Sequence, residues 1–249
     1  MAFRQLRTIL AGMALALALL LGLPAGTVGA AALAAAKEAP LAERIQQWPQ
    51  WRLPAPLQPP GRSDLVYPDW FLGDWQVNSS DGSRYCVRFI PSAAGVVGER
   101  STNAAAVGRA LLGDQLGGVA NDPANPNRQI AHLRLADGLP LQLESTVVGR
   151  RRELAASDEL LVDELALQVL HGKGDPAVSR VETLSHFRLG QDGSIRVEQW
   201  QASYGSPAQG LAAAALRSDH FSLRLEPVGA ATDPASGTAM QAGDCPQSR

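Results

Sequence analysis

Apolar and polar residues alternate with a period of two along most of the stretch from residue 64 to residue 228. That spacing sends successive side chains to opposite faces of an extended strand. In "SRYCVRFI" (83–90), Tyr85, Val87 and Phe89 share one face and Cys86 and Arg88 the other. "ELLVDELALQVL" (159–170) sets Leu165, Leu167 and Val169 against Glu164, Ala166 and Gln168, and the leucine face is expected inward. "RVETLSHFRL" and "SIRVEQWQASY" are two more strands, with Phe187 on an apolar face, joined by the hairpin signal "GQDG" (190–193). "DHFSLRLEP" closes the series with Phe221, Leu223 and Leu225 on one face, and "RQIAHLRLADGLPLQLESTVV" (128–148) reads as a hairpin through "ADG". One segment is helical in character, "NAAAVGRALLGDQ" (103–115), with Gly113 as its stop. Roughly seven to nine antiparallel strands, one short helix and no strand–helix alternation predict an all-β barrel or sandwich.

The stretch "YPDWFLGDWQVN" (67–78) holds two of the five tryptophans. Asp74–Val77 reads as the first barrel strand, with Trp75 and Val77 facing in. Gly73 lets the chain turn sharply into it. An indole at the first inward position plugs one end of a small barrel, where it buries most of its area. Trp70 and Phe71 precede the turn and are expected to cap that end from outside.

Before this domain the pattern changes. Arg4 and Arg7 precede an apolar run from Ile9 to Leu23, then Pro24 and small residues. This order predicts a secretory signal over residues 1–34, cleaved after Ala30 or Ala34. The run is shorter than the roughly 18 residues a membrane-spanning helix needs. Residues 35–63 contain "WPQWRLPAPLQPPGRSD" (48–64), whose five prolines predict an extended arm on the surface. The barrel follows over 64–228. Residues 229–249 are small, polar and aperiodic, the composition of a disordered tail.

Charge narrows the choice of partners. The net charge is −2, so no basic field calls for nucleic acid. "GRRRE" (149–153) has no interleaved aromatics and reads as a solvated turn. The acidic residues Asp163, Glu164, Glu182 and Glu198 fall on polar strand faces, where solvation accounts for them. His132, His171, His186 and His220 are scattered, and neither cysteine has a partner at metal-ligand spacing, so no metal site is expected. Cys86 and Cys245 either form one disulfide across an outward strand face and a tail, or Cys86 is a half-buried free thiol. No nucleophile elbow, phosphate loop or Cys-x-x-Cys is present, and neither an enzymatic activity nor a cofactor is expected.

Gly73-Asp74-Trp75 resembles the first-strand motif of lipocalins and the wider calycin group. In that group an arginine near the last strand packs over the indole, and Arg224 stands at the corresponding place in the chain. Its parity opposes Leu223 and Leu225, so it starts on the outside. A broader resemblance runs through "LPAPLQPPGRSDLVYPDWFLGDWQV", "DPANPNRQI" and "RVETLSHFRL…IRVEQWQASY…FSLRLEP". These segments look like an uncharacterised family of exported proteins of cyanobacteria and plastids. The resemblance implies a calycin-like antiparallel β-barrel in a thylakoid lumen or a periplasm, and it implies no activity.

Two functions are consistent with this reading. In the first, the barrel carries a small hydrophobic ligand such as a lipid, pigment or quinone, lined by Trp75, Val77, Phe89, Leu165, Leu167, Phe187, Phe221 and Leu223. In the second, a filled barrel docks a membrane-protein complex as an assembly or stability factor.

Overall fold

Residues 40–135 and 138–229 are described by the structure, a computed structural model. The expected signal segment, the tail beyond Gly229 and Cys245 lie outside the described residues. In chain order the elements are helix α1 (Pro40–Gln46), strands β1 (Arg52–Leu53), β2 (Gly73–Ser79), β3 (Arg84–Ser92) and β4 (Gly95–Gly98), helix α2 (Arg100–Leu112), and strands β5 (Leu116–Asn121), β6 (Arg128–Arg134), β7 (Pro140–Ala156), β8 (Glu159–His171), β9 (Ala177–Leu189), β10 (Ile195–Tyr204), β11 (Ala213–Ala214) and β12 (Arg217–Pro227).

The period-two pattern yields the expected all-β antiparallel fold. Ten strands form one curled sheet in the order β4-β3-β2-β12-β10-β9-β8-β7-β6-β5, and β1 pairs with β11 in a small separate ribbon. The "GQDG" signal makes the β9–β10 hairpin, where the Gly190 amide donates to Ser194 O (2.7 Å) and Asp192 Oδ1 accepts from the Ser194 amide (3.1 Å). Gly73 opens β2 at φ 118°, a conformation a side chain would strain.

Strand pairing does not close the circle. The sheet is a half-barrel with β4 and β5 at its edges, and α2 packs on β3 on one side and β5 on the other. Gly113 ends the helix as expected, and the helix begins earlier than expected, at Arg100 rather than Asn103. Asn103 docks the helix. Its Oδ1 accepts from the Arg88 amide (2.7 Å) and its Nδ2 donates to Arg88 O (2.9 Å), so a side chain satisfies backbone groups of β3 beyond its main pairing. Ala104 and Val107 of the helix join the core around Trp75, and Leu112 joins a second cluster with Leu143 and Leu170.

The proline-rich arm is more than a surface coil. It contains α1, and Leu41, Trp51 and Leu53 are buried with Leu161, Leu184 and Tyr204 on the convex face of the sheet. This cover reverses the expected orientation of β8. Leu165 belongs to the convex cluster, and Leu167 shares its face, while Glu164, Ala166 and Gln168 point into the half-barrel. Both faces of β8 are buried, so apolarity does not mark the inside.

"GRRRE" is no turn but lies within β7, where the register shifts between Val147 and Gly149. That bulge turns Arg150 inward. The arm seals the spot: the Gln58 amide donates to Arg150 O (3.0 Å), and the Arg150 amide donates to Gln58 O (2.8 Å).

Candidate functional site

The concave face falls into rows of side chains that cross neighbouring strands. One end is apolar. Trp75 and Val77 are buried there with Phe89, Phe187, Ile195, Leu223 and Leu225, and Phe221 packs partly against them. Phe71 is fully buried within this core rather than capping it from outside. Ring centroids of Tyr67 and Phe89 lie 4.8 Å apart, and those of Phe71 and Phe187 5.2 Å apart. The Trp75 indole N–H donates to Phe71 O (2.7 Å), which fixes the plug. Arg224 does not cover it. That side chain ion-pairs on the outside with Asp192 (2.7 Å) and Glu226 (3.0 Å), as its strand parity requires.

Further along, the interior becomes polar. Arg150 Nε donates to Glu164 Oε1 (2.6 Å), and its other nitrogens reach Asn127 Oδ1 (2.9 Å) and Ser63 O (3.2 Å). Burial pushes the Glu164 carboxyl up to about 7 against the pull of Arg150. A carboxyl raised in this way favours the folded state at acid pH and loses that advantage as pH rises through 7. The urea midpoint should therefore fall between pH 5 and pH 8. Glu164→Gln should remove about 3 kcal/mol of that fall, measured as melts at the two pH values. A pH dependence identical to wild type would refute the assignment.

Across β9 and β10 the inward polar groups serve one another. Gln199 Nε2 donates to Ser185 Oγ (2.9 Å), and Gln201 Nε2 donates to Thr183 Oγ1 (3.3 Å). A different row crosses β6 to β9: Gln129 opposes Ser145, Ser145 opposes Gln168, and Gln168 opposes Ser179. Here Gln129 Oε1, Ser145 Oγ, both amide atoms of Gln168 and Ser179 Oγ are buried without a hydrogen-bond partner.

The convex face carries a second ionic centre. Arg44 of α1 donates through Nε and Nη2 to the two oxygens of Glu182, both at 2.7 Å, and its guanidinium stacks over Trp51 at 4.6 Å. Tyr204 donates to the same carboxylate. Beside it Asp163 is fully buried, and burial, then the Glu182 charge, push its carboxyl well above the usual range. A cleft of about 470 Å³ opens next to Arg44, lined by Gln47, Gln50, Arg52, Leu53 and Pro54. Its buried cation is already neutralised by Glu182, and Arg52 stands exposed at its edge.

The structure thus separates the residues expected to line one cavity. Trp75, Val77, Phe89, Phe187, Phe221 and Leu223 share the concave face, and Leu165 and Leu167 do not. Asp163, Glu164 and Glu182, expected in solvent, are buried, whereas Glu198 is only half-buried and pairs with His220 at 2.9 Å. Arg150 and the row from Gln129 to Ser179 were missed. The one partial signal was Gln168, which opposes the leucine face of β8 that was expected to point inward. Among the described residues no three His, Cys, Asp or Glu side chains converge as metal ligands, and no helix is long and apolar enough to cross a membrane. Cys86 sits on the outward side of β3 with its sulfur 3.6 Å from Gln76 Oε1.

No curated protein and no solved structure matches the chain. A family model described as Domain of unknown function (DUF6816) matches residues 79–220, which run from the end of β2 into β12 and include both the row and the Arg150 pair. This match spans more than half of the 249 residues, and the chain belongs to the DUF6816 family.

Proposed function

We propose that this domain is a binding protein, not an enzyme, whose half-barrel takes up one small and largely apolar molecule of the lipid, pigment or quinone kind. The observation that carries the reading is the seam. A helix, not a strand, spans the gap between the sheet edges, so the interior can be reached by moving α2 without breaking any strand ladder. Barrels of about eight strands have room for one small ligand. The main charged pair of the interior, Arg150 and Glu164, is spent on itself, which favours binding over catalysis. The leader-like start of the sequence supports work after export, in a thylakoid lumen or a periplasm.

Docking on a membrane-protein complex is the second reading, and it has its own observation. Leu211 and Leu216 are 79% and 76% exposed at the two ends of "LAAAAL". Arg180 holds this loop in place by donating to the carbonyls of Gly205 (2.9 Å), Gly210 (3.0 Å) and Leu211 (3.0 Å).

Protein purified from its native host and extracted with organic solvent should release a bound apolar molecule. The extracted compound should raise the melting temperature of stripped protein with increasing concentration. No extractable lipid, pigment or quinone, and no thermal shift with any of them, would overturn the carrier reading in favour of docking.

A further inference from the structure

Polar side chains inside a fold are normally paired, and unpaired ones are few and call for a cause. In this half-barrel the contrast is internal. The Arg150–Glu164, Gln199–Ser185 and Gln201–Thr183 neighbours bond to each other across their strands and leave only Glu164 Oε2 and Gln199 Oε1 unmet, while Gln129, Ser145, Gln168 and Ser179 make no bond to one another and leave five atoms unmet. These four stand on consecutive strands, a strip about 14 Å long at the usual strand spacing. Apolar rows flank it on both sides: Val147, Ala166 and Val181 on one, and Ala131, Leu143, Leu170 and Ala177 on the other. Gln129, Ser145 and Gln168 are at most 3% exposed, so bulk water does not meet their needs.

The bonding sense of the strip is partly fixed. Asn121 Nδ2 donates to Ser101 Oγ (3.2 Å), so its Oδ1 accepts from Gln129 Nε2 (3.1 Å). This leaves Gln129 Oε1 as an acceptor in want of a donor. Gln168 presents an acceptor and a donor, and the two serines serve as either. A guest that satisfies the strip must both donate and accept, which hydroxyl groups do and a quinone, with acceptors alone, does not. The strip carries no charge, and Arg150 is already committed to Glu164, so an ionic headgroup would be buried there without a partner.

We propose that Gln129, Ser145, Gln168 and Ser179 form the contact strip for an uncharged, hydroxyl-bearing amphiphile whose apolar part lies against Leu143 and Leu170. This rests on the reading that the half-barrel holds a ligand, and it narrows the headgroup.

The test uses the full chain and two ten-carbon probes, monodecanoylglycerol and decanoate, below their aggregation thresholds at pH 8. Monodecanoylglycerol should bind at least about tenfold more tightly than decanoate, the difference that a few neutral hydrogen bonds give. Gln168→Leu should weaken that binding by about tenfold or more while the unliganded variant melts no lower than wild type, since an unpaired buried amide has been replaced by an apolar group of similar size. Ser145→Ala should weaken binding in the same direction with an unchanged melt. Equal binding of both probes would overturn the headgroup and leave the carrier reading standing. A Gln168→Leu variant that melts lower and binds unchanged would make the strip structural. Failure of both probes to bind would count against the carrier reading itself.

Discussion

Replacing Trp75 with alanine should lower the unfolding free energy by about 3–5 kcal/mol, the usual range for emptying a buried aromatic site. The indole is 5% exposed, belongs to the largest core cluster, and its N–H is committed to Phe71 O. The loss therefore combines a void among Phe71, Val77 and Val87 with an orphaned carbonyl. Domains of this kind keep only about 5–15 kcal/mol in hand, so the variant should unfold at a markedly lower urea concentration. The same change at Trp48, half-buried edge-on against Trp51 in the arm, should cost about 1 kcal/mol. Equal midpoints for the two variants would refute this placing of the core.

Arg44→Ala should cost about 3–5 kcal/mol, because removing one partner of a buried ion pair leaves the other charge without compensation. Glu182 would remain at 0% exposure beside Asp163, keeping its bond from Tyr204. Loss of the guanidinium also removes its contact with the Trp51 ring, so α1 should loosen from the sheet and the arm should become protease-sensitive. Arg44→Lys should recover only part of the stability, since an ammonium does not match the two-point geometry on Glu182. Joint replacement of Arg44 and Glu182 by apolar residues of similar size should cost much less than Arg44→Ala alone. Urea melts of the set decide this. An Arg44→Ala variant within about 1 kcal/mol of wild type would show that solvent reaches the pair.

Much of the fold was legible because most strands have one face against the core. Tyr85, Val87 and Phe89 point in and Cys86 and Arg88 point out, as their alternation requires. The β9–β10 turn and the stop at Gly113 follow from local backbone chemistry. Reading failed where a long-range contact changes what alternation means. β8 lies under Trp51 and Leu53 on one side and faces the half-barrel on the other, so its leucines mark neither face uniquely. The bulge in β7 shifts parity by one residue, and no local residue choice announces that Arg150 then meets Glu164. The contact strip was hidden for the same reason: Gln168 reads as solvent-facing until the arm is seen to bury the opposite side.

The place of β12 also bears on how the chain comes to be folded. The last strand stands between β10 and β2, so Trp75 pairs with Pro227, 152 positions further along the chain. Until Arg217–Pro227 has been made, the β2–β4 unit and the β5–β10 unit share no strand ladder. A nascent chain that lacks β12 is thus two open sheets with bare edges, slow to assemble and exposed to aggregation. Completion of the sheet waits for the C-terminal segment. A truncation that removes only β12 should be far more damaging than its eleven residues suggest.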